Sequence, residues 1–293
     1  GAVVVTEVST GKILAMVSHP DFDPNKIAAM WDDLITDSNS SVLLNRATQG
    51  LYPPGSTFKI VTALEYYREN TDSWKKYGYQ CNGAFRYGTS KINCYHGTNH
   101  GYVDFENSFA KSCNASFANI GMRLDRGEFQ KTLEKLLFNK ELPLSMLYAQ
   151  SNTVVSADMD DEDMVQTAIG QGKTQITPIH LNMITCAVAN GGKLMKPYVI
   201  DRIENDAGSV IKSFKPTTYG MLMTEEESDM ITQLMTAVVE KGTATKLKDQ
   251  AYTAAGKTGS AEYNNVKGDS HAWFTGFAPA KDPEVCVPII VEG

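Results

Sequence analysis

The chain lacks an excess of basic residues. Its 293 residues include 27 Lys and Arg against 34 Asp and Glu, so the formal net charge is -7, and the sequence pI is about 5.3. Nucleic-acid-binding proteins contact phosphates through clustered Lys and Arg, and no such stripe runs along this sequence. The composition therefore predicts that nucleic acid is not a partner.

Long apolar runs, internal repeats and low-complexity tracts are also missing. No segment approaches the roughly 18 apolar residues of a membrane-spanning helix, and no signal peptide precedes Gly1. The first residues, Ala2-Val3-Val4-Val5, read directly as a strand, and so do the last, Ile289-Ile290-Val291. We therefore expect a piece of a longer protein, whose N-terminal anchor lies outside this sequence.

Cysteine is scarce, and the sequence has no C-x-x-C motif. Two of the five cysteines, Cys81 and Cys94, lie with His96 and His100 in one glycine-rich, polar insertion. Two Cys and two His form an acceptable zinc ligand set, a Cys81–Cys94 disulfide is a second interpretation, and free side chains in a surface loop are a third. The sequence leaves all three open, and for the chain as a whole we expect neither a metal site nor a cofactor.

Two further residues resemble catalytic groups but are better assigned to structure. Cys113 has no histidine beside it in the sequence, and a core thiol is the expected role for it. His271 precedes Trp273 on a predicted strand, which favours a structural role. The acidic segment from Ser151 to Asp163 is expected to be a solvated loop, without the spacing of a calcium-binding loop.

The hydrophobic pattern predicts an α/β fold. An opening hairpin turns near Gly11, and Thr177-Pro178 and the Thr224/Glu227 capping box each begin a buried helix. Three strand candidates follow: Tyr252 to Tyr263, His271 to Ala278 and Glu284 to Val291. We expect a single domain over 1–293, with a five-stranded, mostly antiparallel sheet from 1–18 and 252–293 packed with helices. The segment 19–251 is expected to be mostly helical and to include an all-α subdomain.

A serine followed three residues later by a lysine occurs five times, and only Ser56 and Lys59 have a suitable context. Pro53-Pro54-Gly55 precedes Ser56, and an apolar pattern of helical period follows it. Ser56 therefore opens a buried helix, where free backbone N–H groups favour developing negative charge. Lys59 lies one turn later on the same helix face. On this segment alone, Ser56 as a helix N-cap with a solvated Lys59 is the favoured interpretation.

Two other motifs occur once each and favour the catalytic interpretation. They are Ser112-Cys113-Asn114 and Lys257-Thr258-Gly259, and they follow Ser56 in that order. Ser-x-x-Lys, then Ser-x-Asn, then Lys-Thr-Gly is the motif set of penicillin-binding proteins and of serine β-lactamases. Either element alone would be read as a loop turn or a kinked strand. Together they predict a serine acyltransferase site.

With these motifs, the chain resembles the transpeptidase domain of a class B, high-molecular-mass penicillin-binding protein over nearly its whole length. The resemblance extends to further segments: Gly1 to Val5, Thr10 to Ser18, Asn45-Arg46-Ala47, Gly170-Gln171-Gly172, Thr177-Pro178, Gly242-Thr243-Ala244 and His271 to Phe277. It implies a serine D,D-transpeptidase that cross-links peptidoglycan stem peptides through an acyl-enzyme and is acylated by β-lactams. The partners implied are pentapeptide stems ending in D-Ala-D-Ala, β-lactams and, through the longer parent, a membrane glycosyltransferase at the outer face of the bacterial cell membrane.

The resemblance also implies roles for eight residues. Ser56 is the nucleophile, and Lys59 is the base that takes its proton. Ser112 relays the proton to the leaving amine, Asn114 holds the substrate amide, and Lys257 supplies positive charge near Ser112. Substrate binding is assigned to Thr258, Gly259 and Ser260: the two hydroxyls bind the terminal carboxylate, and the backbone N–H groups of Ser56 and Ser260 form the oxyanion hole.

Two departures from the family pattern stand out. Ser260 occupies a position where the family usually has threonine, so we expect altered β-lactam affinity at most. The family's C-terminal helix is not found in this sequence, so the sheet is expected to expose apolar surface. A β-lactamase or a non-catalytic penicillin sensor of the same fold is the alternative, although the chain has no Glu-x-x-Leu-Asn run of the class A type.

Overall fold

The computed structural model describes residues 1–37, 41–88, 90–262 and 270–293. Within these residues the α-helices are α1 (Ile27–Thr36), α2 (Arg46–Gln49), α3 (Lys59–Glu69), α4 (Phe105–Ala110), α5 (Asn114–Gly121), α6 (Arg126–Lys135), α7 (Asp161–Ala168), α8 (Pro178–Ala189) and α9 (Glu225–Lys241). The strands are β1 (Ala2–Glu7), β2 (Ile13–Ser18), β3 (Gly78–Cys81), β4 (Ala84–Tyr87), β5 (Ser90–Asn93), β6 (Gly101–Asp104), β7 (Lys193–Met195), β8 (Arg202–Glu204), β9 (Val210–Ser213), β10 (Thr218–Met221), β11 (Ala255–Glu262), β12 (Ser270–Ala278) and β13 (Val285–Val291).

The main sheet has five strands in the order β11-β12-β13-β1-β2, and every neighbouring pair is antiparallel. The first two strands come from the opening hairpin and the other three from the last forty residues, so the chain ends meet in the centre of the sheet. This arrangement confirms the predicted fold class. The strand predicted from Tyr252 begins at Ala255, and Tyr263, its predicted end, lies outside the described residues.

The inner face of the sheet packs against α8, which is buried along its whole length. Its start is encoded locally: the Thr177 side chain accepts a hydrogen bond from the His180 N–H, and Pro178 occupies the first turn, where its missing N–H costs nothing. The predicted capping box of α9 is present as well, with Thr224 and Glu227 exchanging side-chain-to-backbone bonds of 2.8 and 3.2 Å. These local signals place the two central helices correctly.

The outer face of the sheet is apolar and partly exposed. Strand β1 alternates buried and half-buried residues, and its outward Val3 pairs with Ile289 on β13 and Val17 on β2. Val17 is 50% exposed. The side-chain alternation of a strand sends every second apolar residue to this face, so the surface follows from the strand pattern.

The middle of the chain contains more β-structure than the sequence predicts. Eight short strands form four two-stranded pairs, β3 with β6, β4 with β5, β7 with β10 and β8 with β9. The segment from Ser151 to Asp163 also differs from the predicted solvated loop. Ser151 and Val155 are buried, and Asp160 caps α7 by accepting from the Asp163 N–H at 2.7 Å. Three of its five acidic residues, Asp161, Glu162 and Asp163, lie in the first turn of α7, where the helix dipole favours negative charge.

Candidate active site

Ser56 lies in a short 3-10 turn, Gly55–Phe58, that leads into α3. Gly55 has a φ of 53°, and its N–H donates to the Gly170 carbonyl at 2.8 Å. Gly170 has a φ of 78°, and a Cβ built there would lie 1.9 Å from the Gly55 oxygen. Only glycine at position 170 allows these two backbones to approach so closely, and this contact holds the turn in place.

Lys59 reaches the Ser56 hydroxyl. Its Nζ lies 3.0 Å from Ser56 Oγ, 2.8 Å from the Ser112 carbonyl, 3.2 Å from Ser112 Oγ and 2.6 Å from Asn114 Oδ1. The N-cap positions of the 3-10 turn and of α3 are Pro54 and Phe58, so the alternative interpretation of Ser56 as an N-cap is wrong. The alternative of a solvated Lys59 is also wrong, since the side chain is fully buried.

The environment of Lys59 makes it a usable base. Burial lowers the pKa of Lys59 from 10.5 to about 7, although the nearby thiols of Cys113 and Cys94 act in the opposite direction. The four oxygens around Nζ are neutral, and an ammonium has only three protons to donate. The neutral amine can therefore accept a hydrogen bond from the Ser56 hydroxyl, which is the geometry that proton removal from Ser56 requires.

Ser112 lies between two buried lysines. Its Oγ is 3.2 Å from Lys59 Nζ and 2.9 Å from Lys257 Nζ. Burial, and then the positive charge of Lys59, hold the pKa of Lys257 well below its usual value. Ser112 has a φ of 55°, which is uncommon for a residue other than glycine and carries strain. The hydroxyl thus connects the two amines by hydrogen bonds at a strained point of the chain.

Asn114 begins α5, and both ends of its side-chain amide are engaged. Oδ1 accepts from Lys59, and Nδ2 donates to the Asn93 carbonyl at 3.0 Å. An amide nitrogen has two N–H donors, so one remains for another group. The amide is therefore held in a fixed orientation.

Strand β11 carries the third motif along one edge of the site. Lys257 and Gly259 are buried, whereas Ser260 is exposed and Thr258 is half-buried, so the two hydroxyls lie on the opposite face from Lys257. A Cβ at Gly259 would lie 3.1 Å from the Thr57 backbone nitrogen, so glycine lets the strand pack closely on the turn that carries Ser56. The structure thus brings all eight predicted residues into one region.

Three further contributors were not singled out from the sequence. Thr243 lies beside Thr258, with 2.5 Å between the hydroxyl oxygens. The other two act through backbone carbonyls: Asn93 holds the Asn114 amide, and Gly170 holds the Ser56 turn. Thr243 and Gly170 both lie within segments of the resemblance, where no role was assigned to them. The Asn93 carbonyl is a backbone group and leaves no signal in side-chain identity.

The cysteine insertion differs from all three interpretations drawn from the sequence. Cys81 and Cys94 are buried, so they are not free side chains of a surface loop. Their sulfurs are 3.6 Å apart and unbonded. His96 does not join them; the group of four possible metal ligands is Cys81, Cys94, Cys113 and His100. Cys113 is a buried thiol, as predicted.

Comparisons with known proteins agree with this fold and site. A sequence model of the penicillin-binding protein transpeptidase domain matches residues 1–293. The peptidoglycan D,D-transpeptidase PbpA of Mycolicibacterium smegmatis is 30% identical over 305 residues, which cover all of this chain and 62% of the relative. The chain thus spans less than two thirds of the length of the curated relatives that it matches.

Two solved structures are closely similar. One is the D,D-transpeptidase domain of a peptidoglycan glycosyltransferase from Eggerthella lenta, with a TM-score of 0.92 and 29% identity over all of this chain and 73% of that one. The other is penicillin-binding protein A from M. tuberculosis as an imipenem acyl-enzyme complex, with a TM-score of 0.88 and 28% identity over all of this chain and 68% of that one. The chain belongs to the penicillin-binding protein transpeptidase family, so the predicted resemblance is confirmed.

Proposed function

We propose that the chain is the catalytic domain of a serine D,D-transpeptidase that cross-links peptidoglycan stem peptides and is acylated by β-lactams. The observation that carries this proposal is the hydrogen bond of 3.0 Å between Ser56 Oγ and Lys59 Nζ, at a buried amine with a pKa of about 7. Membership of the transpeptidase family supports it. The substrate is a stem peptide ending in D-Ala-D-Ala.

In the acylation step, Lys59 takes the proton of Ser56 while Oγ bonds to the carbonyl carbon of the penultimate D-alanine. The negative charge moves to the carbonyl oxygen, which the backbone N–H groups of Ser56 and Ser260 are proposed to bind. A single donor of this kind contributes about 2.7–4 kcal/mol of transition-state stabilisation. The close backbone contact between Gly55 and Gly170 supports the oxyanion-binding role of the Ser56 N–H, because it holds that group in one place.

In the next step the bond to the terminal D-alanine breaks, and its nitrogen takes a proton. Ser112 is the proposed relay, since its hydroxyl contacts Lys59 at 3.2 Å and Lys257 at 2.9 Å. The proton moves from Lys59 through Ser112 to the leaving amine. The amine of a second stem then attacks the ester, returns the proton to Ser56 and completes the cross-link.

Substrate positioning is proposed for Asn114 and β11. The free N–H of Asn114 suits a substrate amide carbonyl, and the hydroxyls of Thr258 and Ser260 suit the terminal carboxylate. Gly259 lets β11 lie against the Ser56 turn. Lys257 is buried on the other face of the strand, where its amine donates to Ser112 Oγ at 2.9 Å.

The parent protein is proposed to act at the outer face of the bacterial cell membrane, next to a membrane glycosyltransferase. The supporting fact is that relatives with the transpeptidase function are longer than this chain. No helix among the described residues has both the length and the hydropathy needed to cross a bilayer. Detergent extraction of the full-length parent, followed by co-purification of the glycosyltransferase, tests this placement.

The activity is tested by intact mass with time after penicillin is added. We expect one stable adduct on the unmodified chain and none on Ser56→Ala. The matched control is Ser209→Ala, which removes the serine of an exposed Ser-x-x-Lys pair and should keep the adduct. A folded protein that takes up no penicillin would contradict the proposal, and rapid loss of the adduct would indicate a β-lactamase.

A second assay separates a transpeptidase from a penicillin sensor, which also forms a stable adduct. A thioester or peptide donor ending in D-alanine is supplied with a D-amino acid acceptor, and the transfer product is measured. Transfer that depends on Ser56 supports the enzyme. A stable penicillin adduct without any transfer would favour the sensor.

A further inference from the structure

A second cluster of reactive side chains lies directly behind the Ser112-Cys113-Asn114 motif. Cys81 ends β3, Cys94 follows β5, His100 precedes β6, and Cys113 comes just before α5. No two of their four donor atoms are more than 4.8 Å apart. The cluster is outside the acylation chemistry, since none of its members contacts Ser56.

The distances within the cluster fit the edges of a zinc tetrahedron. Zn–S bonds of about 2.3 Å and a Zn–N bond of about 2.0–2.1 Å require S···S edges of about 3.8 Å and S···N edges of about 3.5 Å. The Cys81–Cys94 and Cys94–Cys113 sulfurs are 3.6 and 3.7 Å apart, and Cys81 Sγ is 3.5 Å from His100 Nδ1. The widest separation exceeds the ideal edge by about 1 Å, a shift that side-chain rotation can absorb.

Backbone donors point at the sulfurs. The Gly83 N–H donates to Cys81 Sγ and the Ser116 N–H to Cys113 Sγ, each at 3.4 Å. Such donors stabilise thiolates, the form in which cysteine binds a metal. Cys113 also sits at the N-terminus of α5, where the helix dipole favours a negative sulfur.

The cysteines of the cluster are packed together in the interior of the insertion. Cys81, Cys94, Cys113 and Ala115 form a small buried cluster, with Tyr79 and Phe85 packed against it. A disulfide would use only two of the three converging sulfurs and would leave the histidine out.

We propose that Cys81, Cys94, Cys113 and His100 bind one zinc ion as a structural site. The ion ties strands β3, β5 and β6 to the middle residue of the Ser112-Cys113-Asn114 motif, just before α5. Cys113 is then a positioning residue: the metal fixes its backbone, and with it Ser112, which has a φ of 55°, and Asn114. Each thiol that binds releases its proton, so metal affinity falls as the pH is lowered. Metal binding is independent of the transpeptidase assignment, whereas the positioning role of Cys113 rests on it.

The first experiment measures zinc by plasma mass spectrometry in untagged protein, purified with a reductant and without chelator. We expect one zinc per chain in the unmodified protein and clearly less in Cys94→Ser and His100→Asn. Two matched controls should keep the full zinc content: Cys186→Ser, a buried cysteine elsewhere, and His96→Asn, a histidine of the same insertion. Full zinc content in both cluster variants would overturn the site.

The second experiment needs no variant, so a failure of Cys94→Ser to fold cannot obscure the result. The zinc is removed under reducing conditions, and Co²⁺ is added to the apoprotein. Tetrahedral cobalt bound by three thiolates and one imidazole gives intense visible bands, which one equivalent of Zn²⁺ should abolish. Protein with neither zinc after purification nor cobalt bands on titration would contradict the proposal.

The link to the motif is tested by the penicillin acylation rate of the zinc-loaded and zinc-depleted protein. We expect depletion to slow acylation at least tenfold and zinc to restore the rate. Calcium is the control ion and should not restore it, because it prefers oxygen ligands. Equal rates with and without zinc would overturn the positioning role of Cys113 while leaving metal binding to be decided by the first two experiments.

Discussion

The same Ser-x-x-Lys spacing occurs in two very different regions, the Ser56 turn and the hairpin of β8 and β9. At the turn, Lys59 is fully buried and contacts four oxygens from three residues. In the hairpin, Ser209 and Lys212 are exposed, and the Lys212 amine lies over the Phe214 ring. The spacing therefore does not make a base. The lysine becomes a base when its amine is removed from water and oxygens are placed around it.

The largest effect should come from Lys59→Arg. Arginine keeps the positive charge but does not lose its proton in proteins, so general-base removal of the Ser56 proton fails. We expect the penicillin acylation rate to fall by about 10²–10⁴-fold. The matched control, Lys212→Arg in the exposed hairpin, should acylate at the normal rate. An unchanged rate in Lys59→Arg would show that another group is the base.

The next effect concerns the contact that holds the Ser56 turn. Gly170→Ala places a Cβ against the Gly55 carbonyl, whereas Gly191→Ala adds a Cβ at a similar φ of 62° with no atom within 4 Å. The Gly191→Ala control measures the free-energy cost of an alanine at positive φ, which is about 1–2 kcal/mol. We expect Gly170→Ala to lower the free energy of unfolding by about 1–3 kcal/mol more than the control. Equal unfolding free energies of the two variants, measured by urea denaturation, would show that the Gly55–Gly170 contact does not stabilise the turn.

A smaller and graded effect is the pH dependence of acylation. Lys59 acts in its neutral form, and its pKa of about 7 lies well below the ordinary 10.5. The acylation rate should therefore rise about tenfold per pH unit below 7 and level off above about 8. A profile that keeps rising to pH 10 would show that Lys59 is not a depressed base. Stopped-flow acylation with a chromogenic cephalosporin measures this profile.

The smallest effect is expected from Ser260→Thr. Ser260 is exposed on β11, and threonine keeps its hydroxyl while adding a methyl group that favours a strand. We expect β-lactam acylation efficiency to change by less than about tenfold, because one buried methyl group contributes about 0.8 kcal/mol. Ser260→Ala is the comparison variant, and its acylation efficiency should be lower than that of the protein with serine or threonine at position 260. Equal efficiency in all three would exclude the hydroxyl from carboxylate binding.

Much of the fold could be predicted, because its signals are local. The caps at Thr177 and Thr224 satisfy helix N–H groups within three residues, and the alternation of β1 follows from strand geometry. The eight short strands of the middle segment could not be predicted in the same way. They have three or four residues each, too few for a period to be recognised, and their pairing partners are set by packing.

The candidate site was predicted through side-chain identity, and two of its three omissions act through backbone carbonyls. Ser56, Ser112 and Lys257 belong to motifs with a fixed internal spacing. The carbonyl of Asn93 contributes through backbone position, which any residue could supply, whereas position 170 requires glycine for its close approach to Gly55. Three of the four members of the cysteine cluster, Cys81, Cys94 and His100, were recognised in the sequence, but His96 was taken as the fourth, whereas the structure has Cys113.

The sequence by itself determined the motif residues, the helix caps and the alternation of the main strands, because each depends on neighbours a few positions away. The tertiary structure alone decided that Ser112 lies between Lys59 and Lys257, which are 53 and 145 residues from it. It also decided the lowered pKa of Lys59, and it decided that Cys113, not His96, lies with Cys81, Cys94 and His100. Desolvation and the convergence of ligands depend on which distant segments pack together, and no local pattern contains that information.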